Sequence, residues 1–399
     1  MKICIVEDFY RPYSSGGASE YVNRLTDALS SAGHEVIVIT TSSNSSISTQ
    51  EKNGSITVYR LATHLPNIPI YTKKVSTFGR IPSILFYWFN PWVYRRIRKI
   101  LSVEKPDIIH SFDTLYLSLS ALYAIQVSGL PWAHSLLYVN LIKPTGILWN
   151  DRSRDGIGWW KWALPLTRKL VGSPNMIISP SKFSLSIHQH YGFFRQAQAE
   201  VIALGPMHAI PSPERAQQQP RNFLSVGRMN YEKGTLTILR AFQNYHHPDL
   251  RLTIVGAGPD QEIIKTEATR DTRIVVKSHL SSEDLGKEFA AADVYISASR
   301  ALETFNLTIS EAFQAGMPVI TSHVGAQPEL VNTTCGLVFP AGNEQALGEA
   351  IRTYVEHPDI WSTHAAAARI RAHDFSMLKN IEQTLEIYQR LSIKKVPKA

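Results

Sequence analysis

The sequence predicts an α/β protein built from two doubly wound, Rossmann-like domains, each a parallel sheet flanked by helices. Three observations carry that prediction. The chain has 399 residues, enough for two domains of about 100–200 residues that each bury a core. Short apolar runs alternate with glycine-containing loops and helical patterns along its length, the grammar of a parallel sheet. The pattern stops at a polar, proline-rich stretch from Pro206 to Pro220 and then starts again, as a linker between two domains would make it do.

Lys2 to Val6 is the first strand. The loop SSGGASE (Ser14 to Glu20) holds Gly16 and Gly17 and leads into a helix. Val22, Leu25, Ala28, Leu29 and Ala32 recur there at three- and four-residue spacing, and Gly33 ends the pattern. Glu35 to Thr40, Asp107 to His110 and Asn175 to Ser179 read as further strands, and His134 lies in another. Beyond the linker, strands are expected at Phe223 to Val226, Leu252 to Val255, Ile274 to Val276, Val294 to Ser297 and Pro318 to Thr321. Met377 to Leu391 carries a helical stripe at the end of the chain. The expected organisation is therefore 1–205, a linker at 206–220, 221–375, and a terminal helix within 376–399. Two such domains on a short linker face each other across a cleft, and ligands of such folds bind at the carboxyl ends of the strands.

Composition excludes several classes. With 44% hydrophobic and 19% charged residues the chain is an ordinary globular protein. Its two cysteines, Cys4 and Cys335, form no spaced motif, which fits a reducing compartment. Glu7 and Asp8 follow only four apolar residues, too few for a secretion signal. The aromatic run Ile81 to Tyr94 is broken by Pro82, Asn90 and Pro91 and falls short of the roughly 20 apolar residues that span a bilayer. A cytoplasmic protein is expected. The net charge of +8 is uneven: residues 1–205 carry +9 and the remainder −1. A basic half suits nucleic acid, anionic lipid or an acidic substrate.

Three loops carry chemistry. Gly16 and Gly17 open a helix, where backbone can approach a ligand and free N–H groups favour an anion. GRMNYEKG (Gly227 to Gly234) follows the strand FLSV. Its Arg228 offers a planar fork for phosphate oxygens and Lys233 a flexible point charge. In SRALETFNLTISEAFQAGMPVI, Glu303 sits after the strand DVYIS and Glu311 eight residues on, inside the next helix. A carboxylate before a helix start accepts hydrogen bonds from sugar hydroxyls, and the N–H groups of Phe305, Asn306, Leu307 and Thr308 point at a phosphate. A second carboxylate grips a vicinal diol such as ribose. Taken singly, these side chains read as surface cations, a helix-start charge and a solvated face. VGAGPD (Val255 to Asp260, with Gly256) lacks the third glycine of a dinucleotide fingerprint. No Asp-x-Asp motif or metal-spaced His/Cys cluster is present, so neither a metal nor a cofactor is expected.

In order and spacing these motifs resemble the retaining glycosyltransferases of family 4, which have the GT-B fold. The resemblance runs from GGASEYVNRLTDALSSAGHEVIVIT through PDIIH, GRMNYEKG, IVGAGP and AADVYISAS to the Glu303/Glu311 pair, AGMPVI and GAQPEL. It implies that Arg228 and Lys233 hold the donor diphosphate, Glu303 the transferred sugar and Glu311 the ribose. Gly227 and Gly256 would line the donor side, Gly16 and Gly17 would close on the phosphates, and the final helix would cross back to the first domain. It implies a sugar moved from a UDP- or GDP-sugar to a lipid-linked or glycan acceptor, with cations and helix starts stabilising the leaving group. Nucleic acid is not among the expected partners. Two departures stand out. Thr304 and Asn306 replace the family's usual glycines, and Leu137 stands where the family often has a catalytic histidine, leaving His134 and His110 as candidates.

The acceptor side has its own signature. Seven of the eight tryptophans fall between Trp88 and Trp162. A helix starting at Pro91 would bury Val93, Ile97, Ile100 and Leu101 and expose Arg95, Arg96, Arg98 and Lys99. Trp159, Trp160, Lys161, Trp162, Arg168 and Lys169 repeat that chemistry. Segments 84–101 and 159–169 would suit an anionic membrane surface, putting the protein peripherally on the inner face of a membrane. A core-packed helix with a merely solvated outer face explains the same pattern. Two other functions fit the same motifs: a non-catalytic nucleotide-sugar-binding relative and a GT-B nucleotide-sugar epimerase.

Overall fold

The computed structural model describes residues 1–13, 16–44, 46–63, 85–149, 157–208, 210–212 and 219–393, with Trp159 described by its backbone alone. Ser14 and Ser15 of the first glycine loop, residues 81–84 of the aromatic run and residues 213–218 of the expected linker lie outside the described residues. The chain forms two compact units. One contains Met1–Leu148, Asp155–Ile202 and Lys379–Ala399, the other Trp149–Arg154 and Ala203–Leu378.

In the first unit β1 (Lys2–Val6), β2 (Glu35–Thr41), β3 (Thr49–Asn53), β4 (Ile56–Leu61), β5 (Ile108–Ser111), β6 (Trp132–Ser135), β7 (Met176–Ser179) and β8 (Gln198–Val201) form one sheet. Its order is β3-β4-β2-β1-β5-β6-β7-β8, parallel except for the β3–β4 pair. The chain winds outward from β1 to β4 in one direction and from β5 to β8 in the other. The winding therefore reverses between β1 and β5, and the crevice at the carboxyl ends of those strands is the place where such sheets hold ligands. β1 is buried along Ile3 to Val6 and β2 along Val36 to Thr40. Runs apolar on both faces are what a parallel sheet covered by helices requires.

The second unit repeats the plan. Its sheet contains β9 (Asn222–Val226), β10 (Arg251–Val255), β11 (Ile274–Lys277), β12 (Val294–Ser297), β13 (Val319–Ser322) and β14 (Gly336–Phe339), in the order β11-β10-β9-β12-β13-β14. Here the winding reverses between β9 and β12. The core under this sheet joins Phe223, Leu252, Ile254, Ile296 and Ile320 to Leu239, Phe242, Leu347 and Trp361 on the covering helices.

The last helix, Met377–Ile393, starts in the second unit and, from Lys379 on, belongs to the first. Ile387, Tyr388 and Leu391 are buried. Polar contacts fix its seat: Tyr21 donates from its hydroxyl to Asn380 Oδ1 at 2.8 Å, and the Tyr388 hydroxyl meets His110 Nδ1 at 2.6 Å. Arg390 pairs with Glu200 at 2.5 Å on the outer edge.

Removing the Tyr388 hydroxyl strands a buried ring nitrogen on His110, a loss worth about 1–3 kcal/mol. Tyr388→Phe is therefore expected to lower the urea midpoint of the first unit without changing the slope. A midpoint equal to that of the unaltered chain would show that the contact does not hold the helix.

Candidate active site

The motif loops of the second unit converge at its point of reversed winding. Gly227 to Gly234 leaves β9, and the segment with Glu303 leaves β12, its neighbour in the sheet. Two glycines permit close contacts here, Gly234 between these two loops and Gly325, after β13, against the Glu303 backbone. Gly234 has φ 67°, and a Cβ there would stand 2.0 Å from the carbonyl oxygen of Ala298. Gly325, at φ 57°, would place a Cβ 2.3 Å from the Glu303 carbonyl oxygen. Neither position has room for a side chain, and both conformations are ones that L-residues rarely adopt. The Arg300 amide also bonds the Glu232 carbonyl at 2.7 Å, tying the two loops together by backbone.

Lys233 Nζ lies 2.7 Å from Glu303 Oε1. The Ser299 hydroxyl donates to the same oxygen at 2.7 Å, and the Glu303 carbonyl accepts from the Ala326 amide at 2.8 Å. Glu303 is thus held through both backbone and carboxylate. Arg228 is exposed on the same loop, and no carboxylate among the described residues pairs with it. Gly227 and Gly256 sit at the ends of β9 and β10, Gly227 N donating to the Val255 carbonyl at 3.0 Å.

The helix Leu307–Gln314 starts without a side-chain cap. Asn306 turns its amide inward, donating to Ser297 Oγ at 3.0 Å and to Gln327 Oε1 at 3.2 Å, and its Oδ1 accepts from the Thr308 hydroxyl at 2.7 Å. The N–H groups at the first turn keep no side-chain acceptor, so an anion can supply one. Phe305 is buried against Phe375, their ring centres 6.0 Å apart, so its side chain belongs to the core. Glu311 is also buried, 2% exposed, and one of its oxygens accepts from the Met207 amide and His208 Nδ1. Residues 206–208, expected in the linker, are therefore packed into the second unit.

In the first unit, Gly16 caps the helix Gly17–Ser31, and its carbonyl accepts from the Ser19 hydroxyl at 3.0 Å. The histidines are placed differently from their expected role. His110 is fully buried, and both ring nitrogens are engaged, Nε2 by Ser135 Oγ at 2.8 Å and Nδ1 by Tyr388. Burial pushes its pKa well below the ordinary imidazole range. With no ring nitrogen left for a substrate, His110 is a fastening for the last helix. His134 meets Ser111 Oγ through Nδ1 at 2.8 Å and is pushed down to about 3, again by burial. Leu137 is buried nearby in sequence and supplies no imidazole.

What the sequence reading passed over lies at the first unit's own point of reversed winding. Glu7 and Asp8 follow β1, and Asp113 follows β5. Asp8 accepts from the amides of Tyr116 and Leu117, both at 2.8 Å. Glu7 accepts from the Asp113 amide at 3.0 Å, and Asp113 from Asn140 Nδ2 at 2.8 Å. Burial, and then their neighbours' charge, raise Glu7 and Asp8 well above the carboxylate range. Asp113 is pushed up to about 6, chiefly by burial. The signal was available: Glu7 and Asp8 served only to exclude a leader, although an acidic pair directly after a first apolar strand stands where ligands bind.

The basic helix is formed as expected. Pro91–Glu104 buries Val93, Ile97, Ile100 and Leu101 and exposes Arg95, Arg96, Arg98 and Lys99. Asn90 caps it, accepting from the amides of Trp92 and Val93. Trp92 is 45% exposed and stacks on Phe86. The second cluster is only partly outward. Trp162 is 79% exposed, but Trp160 is buried against Trp88, and Arg168 is half-buried, bonding the Leu164 carbonyl at 3.3 Å.

A carboxyl whose folded pKa is raised stabilises the fold most fully below its unfolded value, and that contribution is lost as pH rises through the folded one. For Asp113 the loss falls between the ordinary carboxylate range and about pH 6. Asp113→Asn is therefore expected to be more stable than the unaltered chain by about 1–2 kcal/mol at pH 8, with the gap closing by pH 4. Urea midpoints at pH 4, 6 and 8 check this, and an equal gap at all three would contradict it.

Two family models match the chain: Glycosyltransferase Family 4 over residues 15–205 and Glycosyl transferases group 1 over residues 208–372. Glycogen synthase of Mycobacterium tuberculosis is 27% identical, covering 97% of this chain and 94% of its own length. Alpha-monoglucosyldiacylglycerol synthase of Streptococcus pneumoniae is 23% identical over 90% of this chain and 80% of its own. Among solved structures, HepE of Anabaena in complex with UDP superposes with a TM-score of 0.68 at 18% identity, over 98% of this chain and all of that one. Together with the two doubly wound units and the Glu303/Glu311 loop, these matches identify the chain as a glycosyltransferase of family 4 with the GT-B fold, acting on a nucleotide sugar.

Proposed function

We propose that the chain moves a sugar, with retention of anomeric configuration, from a UDP- or GDP-sugar to a lipid-linked or glycan acceptor. The observation that carries this reading is the Lys233–Glu303 contact at 2.7 Å, with an uncapped helix start on the same segment as Glu303 and, on the same loop as Lys233, an Arg228 that no carboxylate among the described residues pairs with. Breaking the bond from sugar to diphosphate puts negative charge on the leaving group, and donors already aimed there lower the barrier without reorganising. Arg228, Lys233 and the N–H groups near Leu307 and Thr308 offset that negative charge in place of a metal. Glu303, pinned through Oε1 by Ser299 and Lys233, orients the sugar hydroxyls.

In the proposed step the C1–O bond to the diphosphate breaks while the acceptor oxygen bonds C1 on the same face. The acceptor proton passes to the departing phosphate oxygen. No carboxylate nucleophile is invoked, unlike retaining glycosidases. The inward-turned Asn306 supports catalysis over the non-catalytic reading, because its side chain leaves the helix start open. Glu7, Asp8 and Asp113 are the groups suited to acceptor hydroxyls in the first unit.

The basic helix supports a lipid surface as the acceptor's setting. None of Arg95, Arg96, Arg98 and Lys99 is ion-paired among the described residues, and Leu85, Phe89 and Trp92 are exposed beside them. No helix among the described residues is long and apolar enough to cross a membrane, so attachment would be peripheral.

Incubation with UDP- and GDP-sugars, with donor hydrolysis or transfer followed by product NMR, tests the chemistry. Glu303→Ala and Lys233→Ala are each expected to lower turnover about 100-fold or more, and the product is expected to keep the donor's configuration. Unchanged turnover in both variants, or an inverted product, would sink the mechanism. For the membrane, each cation near an anionic surface contributes about 1 kcal/mol. Replacing Arg95, Arg96 and Lys99 with Gln is thus expected to weaken flotation with phosphatidylglycerol vesicles roughly 100-fold. An unaltered chain that ignores such vesicles at low salt would remove this part.

A further inference from the structure

The second carboxylate of the donor loop has an anchor of its own. We propose that His208 is a positioning residue for Glu311, holding one carboxylate oxygen so that the other is presented to the ribose diol of a nucleoside diphosphate. The inference rests on Glu311 being the ribose-binding carboxylate and adds the residue that aims it.

His208 Nδ1 lies 2.6 Å from Glu311 Oε1, and the Met207 amide donates to that same oxygen at 3.3 Å. Both contacts fall on Oε1. No hydrogen bond from a described residue reaches Oε2, although the side chain is only 3% exposed. A carboxylate offers about four acceptor sites, and the oxygen that the described residues leave unserved is open to donors from a ligand. A vicinal diol brings two O–H donors in the spacing one oxygen edge can receive. Glu311 sits in the helix Leu307–Gln314, so its backbone is fixed. Pinning Oε1 removes the remaining side-chain freedom before the nucleotide arrives, and preorganisation of this kind raises affinity without adding a contact to the ligand. The anchor comes from a stretch that reads in sequence as linker, and the Met207 amide in the same stretch reinforces it.

Calorimetric titration of the full chain with UDP and GDP, and with their 2′,3′-dideoxy forms, tests the proposal. The unaltered chain is expected to prefer the ribose form of its nucleotide by about tenfold or more. His208→Ala is expected to weaken binding of that form about 5–10-fold while leaving the dideoxy form within about twofold. His208→Asn, whose amide N–H can reach the same oxygen, is expected to restore most of the preference. If the alanine variant does not fold by circular dichroism, His208→Phe, which fills the space without a donor, carries the same comparison. The ratio of ribose to dideoxy affinity is the decisive readout, because a general loss of structure lowers both alike. An unchanged ratio in the variants, with the unaltered chain still discriminating, overturns the role of His208 and leaves Glu311 as the ribose residue. Equal binding of both forms by the unaltered chain, or binding of neither nucleotide, overturns the ribose reading and this inference with it.

Discussion

The donor-side chemistry depends on a steric constraint: the loops leaving β9 and β12 must touch before Lys233 can meet Glu303. Sheet topology brings the strands side by side by reversing the winding between them, and the absence of a Cβ at Gly234 lets the loops close the remaining distance. A methyl group at Gly234 would collide with a carbonyl oxygen rather than with a movable side chain. Charge pairing then fixes what proximity allows. Lys233 is tethered by Glu303 instead of sweeping through solvent, and Glu303 is tethered in turn by Ser299, so both are oriented at small entropic cost when a ligand binds.

The two sheets use the same architectural position for opposite electrostatics. In the second unit the loops at the reversed winding carry Arg228, Lys233 and the uncapped start of the helix Leu307–Gln314, with Lys233 paired to Glu303. In the first the reversed winding collects three carboxyls in protein surroundings that disfavour their ionisation. Amides and Asn140 offset part of that cost for Asp8, Glu7 and Asp113. Carboxyls whose ionisation is disfavoured keep a proton to higher pH than exposed ones and can then donate as well as accept hydrogen bonds, which suits hydroxyl-rich ligands, whereas the other unit is suited to anions.

Much of the fold was legible because buried parallel strands announce themselves. CIV in β1, VIVI in β2 and VYI in β12 are apolar throughout, and glycine loops punctuate them. The hairpin of β3 and β4 was not legible, since TQEKN is exposed at every position and exists as a strand only through its pairing with β4. Of the site, Arg228, Lys233, Glu303 and Glu311 could be singled out from charged residues at strand ends. His208 could not, because its importance comes from a contact 103 residues away in sequence and its neighbours have linker composition. His110 misled for a related reason: a histidine ending a strand looks available until a helix from the far end of the chain engages it.

That far-end helix orders events during synthesis. His110 and Tyr21 leave the ribosome early, but Asn380 and Tyr388, their partners, are translated after the entire second unit. The first sheet must therefore wait, with the groove for its last helix uncovered, until the main stretch of the second unit, Ala203–Leu378, has been made. The unit that begins first is thus completed by residues made after the main stretch of the other.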